Sequence, residues 1–134
     1  MDQRRLLLVG AGGAAGATLR WALLDLGGDA FRPALLAVNV LGCFVLGIAL
    51  ALPAEATQRR HALLHDGVGI GFCGGLTTFS TLAVEVAELG RDGHAGTGAT
   101  YLGLSVTLGL GAVLLGAALS GRTAALEQPL EGER

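Results

Sequence analysis

Four long apolar runs leave this chain few possible folds. They cover residues 5–24, 34–52, 63–87 and 99–119, with short polar connections at 26–32, 53–60 and 89–98. Each run is close to the ~20 residues that carry an α-helix across ~30 Å of hydrocarbon. Charged residues make up only 15% of the 134, against about 25% in soluble domains. The reading is an all-α membrane protein with four transmembrane helices in one domain over residues 1–120. A polar tail over 121–134 is expected to be disordered.

The first run follows Met1-Asp2-Gln3-Arg4-Arg5 and looks like a signal peptide, with small residues at 14–17 where a cleavage site would fall. It continues apolar to Leu24 and three more runs follow, so it is read as the first span. An even number of crossings puts both termini on one side. Arg4, Arg5, Arg59, Arg60, Arg122 and Arg134 then share a face, against Arg20, Arg32 and Arg91. That bias is weak, so the sequence leaves room for insertion in both directions. The net charge of −2 gives no reason to expect a nucleic-acid partner. Cys43 and Cys73 sit inside apolar runs, without metal-ligand spacing, and read as small buried residues.

Residues 69–81, Gly-Ile-Gly-Phe-Cys-Gly-Gly-Leu-Thr-Thr-Phe-Ser-Thr, interrupt the third run where a regular helix is expected. Glycine weakens a helix, and hydroxyls compete for its backbone hydrogen bonds. In hydrocarbon, non-helical backbone survives only when buried in protein or facing a water-filled cavity. The stretch therefore predicts a third helix broken at mid-membrane, the kind of place where ions or substrates bind.

Gly69-Ile-Gly71-Phe-Cys-Gly74 fits a dinucleotide fingerprint, and so does Gly10-Ala-Gly12-Gly-Ala-Ala15 with Asp29 downstream. A Rossmann unit needs strand, turn, helix and further sheet in that order. Membrane helices leave no room for a sheet, and no ATP-binding, zinc-hydrolase or serine-hydrolase motif occurs, so the chain does not read as an enzyme. In the first run Gly12-x-x-x-Gly16 predicts a close helix–helix contact.

The remaining chemistry is a set of neutral donors within the spans: Asn39, Thr77, Thr78, Ser80, Thr81 and Ser105. Neutral hydroxyls and amides can replace the hydration shell of a small anion without trapping it. Phe79 adds ring edges with partial positive charge, which also suit an anion. Several readings stay open. Arg20 either snorkels to the interface or faces an aqueous vestibule. Asn39 either bonds between helices or faces a permeation path. Ser105, one turn beyond Tyr101, either bonds back to its own helix or lines the path. Glu85 can anchor a polar track, Glu88 reads as solvated, and His65 and Asp66 read as solvated near the headgroups.

These residues resemble the small fluoride channels called Fluc or CrcB. The likeness rests on Gly13-x-x-Gly16-Ala17-x-x-Arg20, on Asn39-x-x-Gly42, and above all on Gly71-Phe-Cys-Gly-Gly-Leu-Thr-Thr-Phe-Ser-Thr81 followed by Glu85. Tyr101 and Ser105 fit the last span. The resemblance implies an antiparallel, dual-topology dimer with two pores in a prokaryotic inner (plasma) membrane, exporting cytoplasmic fluoride passively. It implies that Asn39, Phe79, Ser80, Thr81, Glu85, Tyr101, Ser105 and Arg20 line or support the pore. It further implies a structural Na⁺ at the dimer centre, held by the carbonyls of Gly74 and Thr77 from each subunit.

Two positions depart from that pattern. Leu82 stands where a second phenylalanine is expected, and Gly109 where a second polar residue is expected. Such losses also fit a diverged partner chain of a heterodimeric channel, conducting or not. A small dual-topology, proton-coupled drug exporter is the other alternative. It would need a mid-span carboxylate, for which Glu85 is the candidate.

Overall fold

The computed structural model describes residues 3–51 and 62–126. The expected connection at 53–60, with Arg59 and Arg60, and the tail beyond 126 lie outside the described residues. Helix α1 (Gln3–Gly27) leads through a 3₁₀ turn (Gly28–Ala30) into α2 (Phe31–Leu50). Helix α3 (Ala62–Cys73) is wound in the wide i→i+5 manner and continues as one α-helical turn, Gly74–Leu76. After two extended residues come α4 (Phe79–Arg91) and α5 (Ala95–Leu126). No strand occurs among the described residues.

The chain reverses between α1 and α2. Arg20 and Asn39 bond to the neighbouring residues Thr77 and Thr78, whereas unbroken helix would set them roughly 28 Å apart. The turn is made by Gly28 at φ +46°, a backbone state open chiefly to glycine. The second tight corner follows α4. Gly93 (φ +81°) donates to the Gly90 carbonyl, and His94 N–H donates to that of Leu89. This pair of bonds is the glycine-terminated helix end that satisfies otherwise orphaned carbonyls.

Among the described residues, three helical stretches are long and apolar enough to cross a membrane: Gln3–Leu50, Ala62–Arg91 and Ala95–Gly121. Their outer faces are apolar. Leu7, Trp21, Leu41, Ile70, Leu110 and Leu114 are exposed, while the fully buried large side chains are Leu35, Leu76 and Cys73. A surface of this kind is a liability in water and ordinary in lipid. The chain is a helical membrane protein that crosses the bilayer several times.

Its interior is packed through glycine rather than through large side chains. A Cβ on Gly12 or Gly16 would run into the backbone of Gly67, Phe72 and Leu76, and one on Gly75 into the backbone of Gly13 and Ala17. On the facing helix, a Cβ on Gly71 would lie 2.7 Å from the Val9 carbonyl oxygen. Thus α1 and α3 meet main chain to main chain. A second seam joins α2 and α5, where Gly47 meets Val113 and Gly116 meets Phe44. Between helices in lipid the apolar driving force is weak, so close approach supplies the attraction.

One reading of the polar residues needs correcting. Asp66 is not solvated among headgroups: it is buried at 5% exposure. Arg5 Nε lies 2.9 Å from its Oδ2, and His65 Nδ1 lies 2.9 Å from its Oδ1. A carboxylate can be buried when cations and donors compensate it, and the close α1–α3 packing brings Arg5 there. We expect Gly16→Val to cost at least ~2 kcal/mol of stability in thermal unfolding in detergent, because backbone cannot move aside. Gly90→Ala, in open space, should change it by less than ~0.5 kcal/mol.

Candidate functional site: a helix break held by two other helices

The helix stops at Thr77 and restarts at Phe79. Thr77 (φ −84°, ψ 152°) and Thr78 (φ −148°, ψ 121°) are extended. Two extended residues remove regular i→i+4 partners on both sides, and each freed group must bond elsewhere. Thr78 N–H donates to Asn39 Oδ1 at 2.8 Å, and Asn39 Nδ2 donates back to the Thr78 carbonyl at 3.2 Å. One α2 side chain therefore replaces two backbone bonds. From α1, Arg20 Nη1 donates to the Thr77 carbonyl at 3.2 Å. Thr77 closes the preceding turn: both its N–H and its hydroxyl donate to the Cys73 carbonyl at 2.9 Å.

Thr78 also starts α4. Its Oγ1 accepts from Thr81 N–H at 3.3 Å, an N-cap contact. The same oxygen lies 3.1 Å from Ser80 Oγ and 3.1 Å from Thr81 Oγ1. Three hydroxyls thus cluster on the first turn of the restarted helix. Thr81 and Glu85 follow at i and i+4, so they share one face of α4.

Glu85 lies at the other end of that face. Its side chain is 14% exposed, and its Oε2 accepts from Arg32 Nε at 2.6 Å. Tyr101 donates its phenol O–H to the Arg32 carbonyl at 2.9 Å. Ser105 is buried and donates to the Tyr101 carbonyl one turn back at 2.8 Å. The structure therefore brings the expected residues together as two groups. Arg20, Asn39, Thr77, Thr78, Ser80 and Thr81 gather at the break. Glu85 and Tyr101 meet at Arg32, Ser105 bonds back to its own helix one turn beyond Tyr101, and the Thr81–Glu85 face links the groups.

Two expected residues stand apart. Phe79 is 71% exposed, and a Cβ at Gly74 would meet nothing within 4 Å. Both lie on an outward face of this single chain. Leu82 is buried at 4% exposure and packs inward. At Gly109 a Cβ would lie 3.4 Å from Cys43 Sγ, so the missing side chain is partly filled by that thiol.

Arg32 was not foreseen as part of the site. It lies 53 residues from Glu85 in the chain, and no local spacing marks the pair. Thr78 was foreseen as a hydroxyl donor only. Its place as cap is legible in hindsight, since a threonine directly before a helical run is a start signal.

Residues 7–117 match the family described as CrcB-like protein, Camphor Resistance (CrcB). The chain is 44% identical over 129 residues to Fluoride-specific ion channel FluC 2 of Synechococcus sp. (strain CC9605), covering 96% of this chain and 90% of that protein. It is 39% identical over 117 residues to Fluoride-specific ion channel FluC 2 of Listeria innocua serovar 6a, covering 87% and 90%. It is 41% identical over 121 residues to Fluoride-specific ion channel FluC of Rhizobium johnstonii, covering 84% and 93%. With the family match spanning all five helices and both polar groups, the chain belongs to the CrcB family.

Proposed function

We propose that this chain is a subunit of a fluoride-selective channel that lets cytoplasmic fluoride leave passively across a prokaryotic inner membrane. The observation that carries the reading is the likeness to fluoride-specific channels over 96% of the chain, with a half-buried line of polar groups along the break and α4 of an otherwise apolar bundle. The donors left for an ion are neutral: the second Nδ2–H of Asn39, and at least one proton of the Thr78, Ser80 and Thr81 hydroxyls, which share two hydrogen bonds among them. They can stand in for water around a small anion at each step and release it again. Arg20 adds positive charge at the break, where its bond to the Thr77 carbonyl ties it down.

In this reading the chain crosses four times, as α1, α2, α3 with α4, and α5. Two copies, or this chain and a diverged homologue, pair antiparallel. The outward position of Phe79 and Gly74 supports a partner at that face. Phe79 would then present its ring edges to an ion at the joint between subunits rather than within one chain.

A central Na⁺ fits the donors available. Thr78 N–H, the regular partner of the Gly74 carbonyl, is given to Asn39, so that carbonyl is released from its helical bond. The Thr77 carbonyl accepts one bond from Arg20 and retains a second lone pair. Two carbonyls are few for Na⁺, and a second copy would double them. The carbonyls of Gly74 and Thr77 would hold the cation, which would supply positive charge to offset their partial negative charge. What this chain contributes is the arrangement: Asn39 diverts the competing N–H, and Arg20 fixes the Thr77 peptide plane.

A proton-coupled exporter is less well supported. Its carboxylate candidate, Glu85, lies towards one end of its span and is engaged by Arg32 at 2.6 Å. Vesicles containing the purified chain, with its natural partner chain if it has one, should release fluoride to an ion-selective electrode without a pH gradient and should retain chloride. No fluoride release would refute the proposal. Release that collapses without a pH gradient would favour the exporter.

Two further outcomes are expected. Asn39→Ala strips partners from two backbone groups, each costing ~1–3 kcal/mol when left unsatisfied. Fluoride flux should fall at least tenfold, a change of about 1.4 kcal/mol or more, and the protein should unfold at lower temperature. Thorough replacement of Na⁺ by a large organic cation should reduce flux or dissociate the dimer, read by electrode and by size-exclusion chromatography. Unchanged flux and assembly would count against the cation site.

A further inference from the structure

A cavity of about 450 Å³ opens at the start of α2, lined by Asp29, Phe31, Arg32, Pro33 and Glu85. Three elements meet on one residue there. The Arg32 guanidinium holds the Glu85 carboxylate of α4 at 2.6 Å, and the Arg32 carbonyl accepts the Tyr101 hydroxyl of α5 at 2.9 Å. The two ends of the ion pair differ in environment: the Glu85 side chain is 14% exposed and that of Arg32 is 46% exposed. Water therefore screens the cation better than the anion. Without Arg32, a poorly hydrated negative charge would stand beside the cavity and next to the line of hydroxyls.

We infer that Arg32 sets the anion permeability of this mouth by cancelling the Glu85 charge beside the cavity. This inference rests on the fluoride-channel reading. Arg32 acts as a positioning residue: it needs no bond to the permeating ion. Its Nε–H is committed to Glu85, and its backbone seats Tyr101. Lined walls of one charge sign concentrate or exclude ions by large factors, and the effect weakens with salt. Asp29 also lines the cavity but is exposed, so bulk water and ions screen it.

The test is electrical. Wild type, R32Q and R32K are reconstituted in planar bilayers, with the natural partner chain if wild type needs one. Fluoride current is measured at fixed fluoride in roughly 0.1 M and roughly 1 M of an impermeant salt, where screening lengths are about 10 Å and about 3 Å. R32Q is expected to carry about tenfold less current at the lower salt, and the deficit should shrink to less than about threefold at the higher. R32K should stay within about threefold of wild type throughout, because the positive charge remains.

A deficit equal at both salts, an unchanged R32Q, or an R32K as poor as R32Q would overturn the inference. So would an R32Q that no longer elutes like wild type in size-exclusion chromatography, since the pair would then be a structural tie. A wild type without fluoride current overturns the channel reading itself and the inference with it, and so the two failures are distinguishable.

Discussion

A backbone N–H inside hydrocarbon has no water to turn to, and the arrangement at Thr77–Thr78 follows from that constraint. Opening a helix for two residues is unfavourable in lipid unless other parts of the protein take over the freed groups. Here Asn39 takes both the N–H and the carbonyl of Thr78, and Arg20 takes the carbonyl of Thr77. These side chains come from α2 and α1, so both helices must lie against the break at the correct height. The 3₁₀ turn at Gly28–Ala30 makes that possible by folding α1 and α2 back on each other. The fold therefore carries one requirement: the break can exist only if the bundle assembles around it.

The polar line beyond the break obeys the same rule in a milder form. Thr78 caps α4 with the oxygen that also gathers Ser80 and Thr81, so a helix-starting contact doubles as a cluster of hydroxyls. Ser105 gives its proton to the Tyr101 carbonyl and leaves its oxygen as an acceptor. At Glu85 a formal charge appears, and Arg32 answers it directly.

Much of this was legible in the sequence because it depends on local composition. Length and apolarity announce long apolar helices, and four glycines followed by hydroxyls announce an irregular stretch within 69–81, which holds the extended Thr77 and Thr78. The family likeness pointed to Arg20, Asn39, Ser80, Thr81, Glu85, Tyr101 and Ser105. What was not legible depends on pairing between distant residues. Nothing near Asp66 indicates that Arg5 will reach it, so it read as a solvated headgroup residue. Nothing near Arg32 indicates Glu85, so it read as a charge in a connecting turn. The wide winding of α3 was also hidden, since no residue pattern within 62–73 marks i→i+5 spacing.

The glycine seam between α1 and α3 bears on how such a protein can move. Packed helices usually slide by small rearrangements of the side chains between them, the shear motion common in domain closure. Where Gly12 and Gly16 meet Gly67, Phe72 and Leu76, no such layer exists. Sliding there would drive peptide groups into one another. The two helices therefore travel as one block, carrying Arg20 and the carbonyl it holds along together. Any opening and closing of the chain has to occur elsewhere, at the short turns or between other helices.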